Sequence, residues 1–299
     1  MRIGALEAGG TKMVVAVGNE QGEILDRLSI PTQTPDITMP QLVAYFKEKG
    51  IDALGIGCFG PIDLNRESDT YGYITSTPKL AWKNYNIVGA FRKELIVPIG
   101  FDTDVNAAAI GEATWGIAQG VRNSIYITIG TGVGVGVIID GKPLHGMLHP
   151  EAGHILLSRH PKDTFQGSCP YHDSCLEGMA AGPALEKRYG RKAYELADQK
   201  EVWELEGYYI AQALVNYILT LSPQRIVLGG GVMHQEHLMP IIQKEVLRLL
   251  NGYIITPELQ EIEKYIVLPA LNDNQGILGC VKLALYEAEA KNKIPTISE

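Results

Sequence analysis

Three groups of residues in this 299-residue sequence have the types and spacing for chemistry. The first is a pair of glycine-rich turns, Ala8-Gly9-Gly10-Thr11 followed by Lys12, and Gly130-Thr131-Gly132-Val133-Gly134. Glycine accepts positive φ and carries no side chain, so successive backbone N–H groups can converge on one anion. Thr11 adds a hydroxyl donor and Lys12 a positive charge. Neither turn is a Walker A loop, which needs its Gly-Lys-Ser/Thr to run into a helix; here each turn runs into a strand. A tight hairpin accounts for either turn alone, but two of similar design ask for a common purpose. The second group is Asp102-Thr103-Asp104-Val105-Asn106, which follows a strand-like run and opens a helix. An acidic residue there caps the helix. It also stands where the strands of an open α/β sheet face a ligand, and there a carboxylate can take a proton from a hydroxyl.

The third group is Cys169-Pro-Tyr-His172-Asp-Ser-Cys175, a C-x-x-H-x-x-C segment. Structural zinc takes four nitrogen or sulfur ligands in a closed tetrahedron. The segment supplies three, and His154 of Glu151-Ala-Gly-His154 is the candidate fourth. Such a site has no open position, so the metal would fold a loop. It would also fix two nearby carboxylates, Glu151 and Glu177, which suit the hydroxyls of a sugar. A di-iron reading of Glu151-x-x-His154 needs bundle helices, and Pro150 and Gly153 argue against a helix.

Positioning these groups requires an α/β framework. Short β-rich runs (Arg2–Leu6, Met13–Gly18, Ala53–Gly57, Ile96–Phe101, Ser124–Ile129, Val133–Ile139, Arg225–Leu228) alternate with helical stretches. The helical stretches are Met39–Lys49, Val105–Trp115, Trp203–Leu221, Leu238–Asn251 and Gln275–Glu289. This alternation is the pattern of α/β architecture. Ile3–Val17 and Ile125–Ile139 echo each other as strand, glycine turn, strand, which implies two domains of similar design. The expected division is 1–117 with a C-terminal helix at about 280–299, and 118–279 carrying the zinc loop. The tail after Lys291 (Asn292, Lys293, Pro295, Ser298) reads as a frayed end.

Composition narrows the function classes. Hydrophobic residues make up 45% and charged residues 20%, the balance of an ordinary globular protein. A net charge of -8 with no basic block makes nucleic acid and anionic membrane poor partners. The uncharged stretch 123–139 is glycine-rich and shorter than a membrane span of about 20 residues. No basic-then-apolar leader opens the chain, so the expected location is the cytoplasm. Four cysteines make no disulfide scaffold; Cys58 and Cys280, each beside glycine, read as small buried residues. Trp203–Leu221 has the spacing of a core helix or a dimer interface. Gly60-Pro61-Ile62-Asp63 reads as a turn after a strand. His145, His149 and His160 have no role that the sequence assigns.

Taken in order, Glu7-Ala-Gly-Gly-Thr-Lys12, Gly130-Thr-Gly-Val-Gly134, Glu151-Ala-Gly-His154, the Cys-His segment ending Cys175-Leu-Glu177, and Ile226-Val-Leu-Gly-Gly-Gly-Val232 resemble the ROK family of sugar kinases over nearly the whole chain. The C-x-x-H-x-x-C form and the opening Leu-Glu-Ala-Gly-Gly-Thr-Lys are most similar to its bacterial fructokinases. The resemblance implies an actin-like, Hsp70-like sugar kinase fold with two α/β domains around a cleft, and a homodimer. It implies transfer of the ATP γ-phosphoryl group to the 6-hydroxyl of fructose, with Mg²⁺ accompanying ATP and a structural Zn²⁺. Asp104 would be the base, with Asn106, Glu151, His154 and Glu177 near the sugar. Gly9, Gly10, Thr11, Lys12, Gly130, Thr131, Gly132 and Gly134 would hold the phosphates. Pro183, Gly230, Gly231, Val232, Met233, His234 and Gln235 would line the adenosine. His154, Cys169, His172 and Cys175 would bind zinc. The departures are Glu7 where aspartate is usual, His172 for a cysteine, and Thr103 where glucose-using members carry asparagine, which leans toward a ketose. Glucokinase and mannose or N-acetylhexosamine kinase are the alternatives within the family. A sugar-responsive repressor is the remote one, because the chain starts on its first strand with no DNA-binding segment before it.

Overall fold

The structure, a computed structural model, describes residues 1–292. In chain order the elements are β1 (Ile3–Ala8), β2 (Lys12–Gly18), β3 (Ile24–Pro31), α1 (Pro35–Lys49), β4 (Ala53–Cys58), β5 (Tyr73–Ile74), β6 (Tyr85–Asn86), α2 (Ile87–Glu94), β7 (Ile99–Thr103) and α3 (Asp104–Thr114). They continue as β8 (Ser124–Ile129), β9 (Val133–Ile139), β10 (Lys142–Pro143), α4 (Leu176–Ala180), α5 (Gly182–Tyr189), α6 (Lys200–Leu221), β11 (Arg225–Gly229) and α7 (Leu238–Leu250). The last are α8 (Pro257–Gln260), α9 (Ile262–Tyr265), β12 (Ile266–Val267) and α10 (Gln275–Asn292). The chain forms two compact units. One comprises Met1–Gln119, Lys142–His149 and the described residues from Leu271 onward; the other comprises Gly120–Gly141 and Pro150–Ala270. The tail residues Lys293, Pro295 and Ser298, and the end of the helix expected at 280–299, lie outside the described residues.

In the first unit the sheet order is β3-β2-β1-β4-β7. The β1–β2 and β2–β3 pairs are antiparallel, while β4 runs parallel to both β1 and β7. The central strands β1 and β4 are buried on both faces, Glu7 alone being partly exposed, as strands covered on both sides must be. The helix α10 packs on β1, β4, β7 and α3. That contact is backbone to backbone. A Cβ at Gly55 would lie 1.7 Å from Cys280 O, and one at Gly279 would lie 1.6 Å from Ala107 O. The glycines are therefore the condition for α10 to sit against the sheet and α3.

The second unit repeats the plan. Its sheet runs β9-β8-β11-β12, with β8–β9 antiparallel and β8–β11 and β11–β12 parallel. The two hairpins that echo in the sequence, β1–β2 and β8–β9, occupy equivalent places in the two sheets. The segments Lys142–His149 and Leu271–Gly279, assigned by the sequence to the second domain, group with the first unit. His145 bonds Asp102 and His149 bonds the Ile62 backbone, while α10 begins beside Glu7. No helix among the described residues is long and apolar enough to cross a membrane.

Candidate functional site

In the first unit, strand register sets the carboxylates. Glu7 pairs with Gly57 across β1–β4, and Gly57 with Asp102 across β4–β7, placing all three in one row near the C-terminal ends of parallel strands. Ligands of open α/β sheets bind at such ends. The strand β7 passes directly into α3, whose N-cap is Thr103; its Oγ1 accepts from Asn106 N at 3.0 Å. Asp104 is then the first helical residue, with Oδ1 accepting from Val105 N at 2.8 Å. The cap is therefore Thr103 rather than an acidic residue, and Asp104 is the partly buried first residue of the helix. A Cβ at Gly57 would lie 3.3 Å from Asp104 Cα, so that glycine admits the helix start to the sheet.

Burial raises the Asp104 carboxyl pKa, and the Val105 N–H and its own backbone N–H partly offset this. Glu7 is pushed up to about 7, first by burial and next by the charge of Asp104, with Arg27 and Lys12 pulling the other way. A pair of recessed carboxylates that repel each other fits a hard divalent cation, which prefers oxygen ligands. Beside them, the turn between β1 and β2 closes through Gly9 N donating to Lys12 O at 3.1 Å. Thr11 and Lys12 are exposed. Lys79 comes over this turn from a distant loop, with Cε 3.2 Å from where a Cβ of Gly10 would lie.

In the second unit, three separated segments meet at the other glycine turn. Gly130 N donates to Gly132 O at 2.9 Å, and Gly182 N, next to Pro183 at the start of α5, donates to Gly130 O at 2.8 Å. Gly230 has φ of 90°, and a Cβ there would lie 2.4 Å from Ile129 O. Only glycine suits both conditions, and the result brings Gly231 N to 3.8 Å from a Cβ position at Gly130. Thr131, Pro183, Gly231 and His234 are exposed and Gln235 is partly so, whereas Val232 and Met233 are buried at 3% and 4% exposure.

The Cys-His segment closes on His154. The donor atoms of His154, Cys169, His172 and Cys175 all lie within 4.8 Å of one another. His154 Nδ1 is 3.8 Å from Cys169 Sγ and 3.6 Å from Cys175 Sγ, and His172 Nδ1 is 3.8 Å from Cys169 Sγ. A tetrahedron with zinc bond lengths near 2.0–2.3 Å has sulfur–nitrogen edges of about 3.6 Å, so the donor set fits such an ion. Burial first, with Cys169 nearby adding to it, pushes the Cys175 thiol up to about 11, against the pull of the Gly178 N–H. A cation at the centre reverses that preference, since the thiolate is the metal ligand.

His154 turns its other nitrogen away from the sulfurs, with Nε2 4.0 Å from Glu177 Oε1. The other oxygen of Glu177 accepts from Val133 N at 3.0 Å, inside the glycine turn. A Cβ at Gly132 would lie 2.8 Å from that same oxygen. One carboxylate therefore links the metal-type cluster to the glycine turn. Glu151 is exposed at the head of the short helical turn Ala152–His154, which Tyr217 holds by donating its hydroxyl to Ala152 O at 2.7 Å.

Asn106, expected at the sugar, is only 1% exposed and donates its side-chain amide to Asp102 Oδ1 at 2.7 Å. Asp102, His145 and Lys79 stand near these groups although the sequence assigns none of them a role of its own. The two that approach from afar, His145 and Lys79, carry no local pattern.

The ROK family profile matches residues 3–287. The fructokinase of Pediococcus pentosaceus is 48% identical over 98% of this chain and 100% of that protein. The fructokinase of Zymomonas mobilis is 41% identical over 97% of each. Among solved structures, the ROK hexokinase from Thermus thermophilus superposes with a TM-score of 0.79 at 26% identity, covering 97% of this chain and 100% of that one. The architecture is that of the actin-like sugar kinases, and by profile, sequence and fold the chain belongs to the ROK family.

Proposed function

We propose that this chain is an ATP-dependent fructokinase that transfers the γ-phosphoryl group to the 6-hydroxyl of D-fructose. The single observation that carries the chemistry is Asp104, a recessed carboxylate at the head of α3 whose pKa burial has raised. Such a carboxylate accepts a hydroxyl proton more readily than an ordinary surface aspartate. As Asp104 takes the proton of the 6-hydroxyl, that oxygen bonds the γ-phosphorus, and the bond to the β–γ bridging oxygen breaks to release ADP. The substrate is supported by the relatives named fructokinase at 41% and 48% identity over nearly their full length, and by Thr103.

Phosphoryl transfer depends chiefly on positioning and electrostatic stabilisation. Gly9–Lys12 and Gly130–Gly134 supply N–H groups to the phosphates, and Pro183 with Gly230–Gln235 borders the adenosine. Glu151, Glu177 and Nε2 of His154 bond sugar hydroxyls, while Nδ1 of His154 serves the metal cluster together with Cys169, His172 and Cys175. Zinc there would supply a cross-link that holds Glu151 and Glu177 in place. Magnesium bound with ATP would neutralise charge on the phosphate oxygens, and Glu7 is the carboxylate fitted to it, while Asp104 is kept for the proton. The reading extends, on the family resemblance alone, to a cytoplasmic homodimer. The test is a panel of hexoses assayed for hexose-dependent ADP release. Fructose is expected to give the highest kcat/KM, and a preference for glucose, mannose or an N-acetylhexosamine would replace the substrate assignment.

A further inference from the structure

Beside Asp104 lies a hydrogen-bonded network that the proposed mechanism does not use. Its hub is Asp102, 1% exposed. Oδ1 accepts from Thr103 N at 2.8 Å and from Asn106 Nδ2 at 2.7 Å, and Oδ2 lies 2.9 Å from His145 Nε2. A buried carboxylate is tolerated when its lone pairs are met in this way. The network makes one side chain available to a ligand. Asn106 and Asp102 are sealed in, while the His145 side chain stays 40% exposed, and its Nδ1 makes no hydrogen bond among the described residues.

A mere anchor for the Lys142–His149 segment has no need of this arrangement. That segment is already fastened at its end by His149, 5% exposed, whose Nε2 accepts from Ile62 N at 3.3 Å. A carboxylate bonded to one imidazole nitrogen fixes the ring's orientation and aims the other nitrogen. When Nε2 carries the hydrogen toward Asp102, Nδ1 of the neutral ring accepts. When the ring is protonated, Nδ1 donates. A hydroxyl answers either state, whereas a phosphate oxygen answers only the second.

We infer that His145, aimed by Asp102, is a sugar-contacting residue that bonds a hydroxyl of the hexose beside Asp104, taking the place expected for Asn106, and that Asp102 is its positioning residue. This rests on the kinase reading above. The hydrogen bond from Asp102 raises the His145 pKa above its usual value, against the effect of burial, which favours the protonated ring whose Nδ1 donates.

The test compares wild type with His145→Ala and His145→Gln, varying fructose and ATP separately and recording thermal midpoints. Loss of one hydrogen bond to a substrate hydroxyl predicts a rise of about tenfold in the fructose KM of His145→Ala, with ATP KM unchanged. His145→Gln keeps a donor for Asp102 and a second polar atom, and should recover most of the loss. The inference is overturned if His145→Ala keeps its fructose KM within twofold. It is equally overturned if both KM values rise together with a fall in thermal midpoint, the mark of a lost anchor. If wild type phosphorylates no hexose, the kinase reading itself falls and this inference with it, an outcome distinct from the other two.

Discussion

Replacing Glu7 by glutamine should remove a specific part of the protein's pH dependence. In the folded chain burial and the charge of Asp104 push the Glu7 carboxyl from 4.5 up to about 7. Between those values the folded state holds a proton that the unfolded state has released. The state that binds more protons loses ground as pH rises. The contribution to stability is therefore fully present below pH 4.5 and is lost as pH passes through about 7. At about 1.4 kcal/mol per pH unit, the gap is worth about 3 kcal/mol. Urea unfolding of wild type and Glu7→Gln, measured from pH 4.5 to 8 without divalent cations, follows this contribution together with the coupling of Glu7 to Asp104, the remaining carboxylates being common to both proteins. Wild type should lose about 3 kcal/mol relative to the variant across that range. Magnesium added at pH 8 should restore part of the loss in wild type only, since a cation favours the ionised carboxylate. Parallel curves for the two proteins would refute the reasoning, because Glu7 would then ionise in the fold as it does in water.

Three shorter expectations follow from the same geometry. Asp104→Asn should lower kcat by about 10²–10⁴-fold while calorimetry still detects fructose binding; turnover within tenfold of wild type removes Asp104 as the base. Gly230→Ala forces a side chain into φ of 90° and against Ile129 O, costing about 1–3 kcal/mol of stability and raising ATP KM; an unchanged unfolding midpoint contradicts that geometry. Cys175→Ser, or stripping with a chelator, should abolish a stoichiometric zinc content, lower the thermal midpoint by about 5 °C or more and raise fructose KM. Elemental analysis that finds no zinc in the purified wild type sinks this last expectation.

The hairpin echo and the glycine turns were readable in the sequence because their signals are local. The four metal-type ligands were readable too, since three of them fall within one short segment and the fourth is close upstream. The strand β3 was missed because it is an edge strand with a largely exposed, mixed pattern. The helices α2 and α5 were missed because each is only 8 residues long, too short to display a clear period. The Asp102–His145 pair and the approach of Lys79 to Gly10 join residues far apart in the chain. No spacing rule could have found them. Asn106 shows the opposite limit: its position in the motif suggested a contact, but its burial and its bond to Asp102 decide what the amide can reach.

The closing helix has a consequence for how the protein is made. Because α10 covers β1, β4, β7 and α3, residues such as Ile277, Val281 and Ala284, all wholly buried, are delivered to the opening sheet only when translation reaches them. The second unit, Gly120–Gly141 and Pro150–Ala270, leaves the ribosome first. The later half can thus mature ahead of the earlier one, while the nascent N-terminal sheet waits with one apolar flank bare. Such a waiting species is prone to stick to others of its kind. Chaperone demand during synthesis should accordingly ease once α10 has emerged.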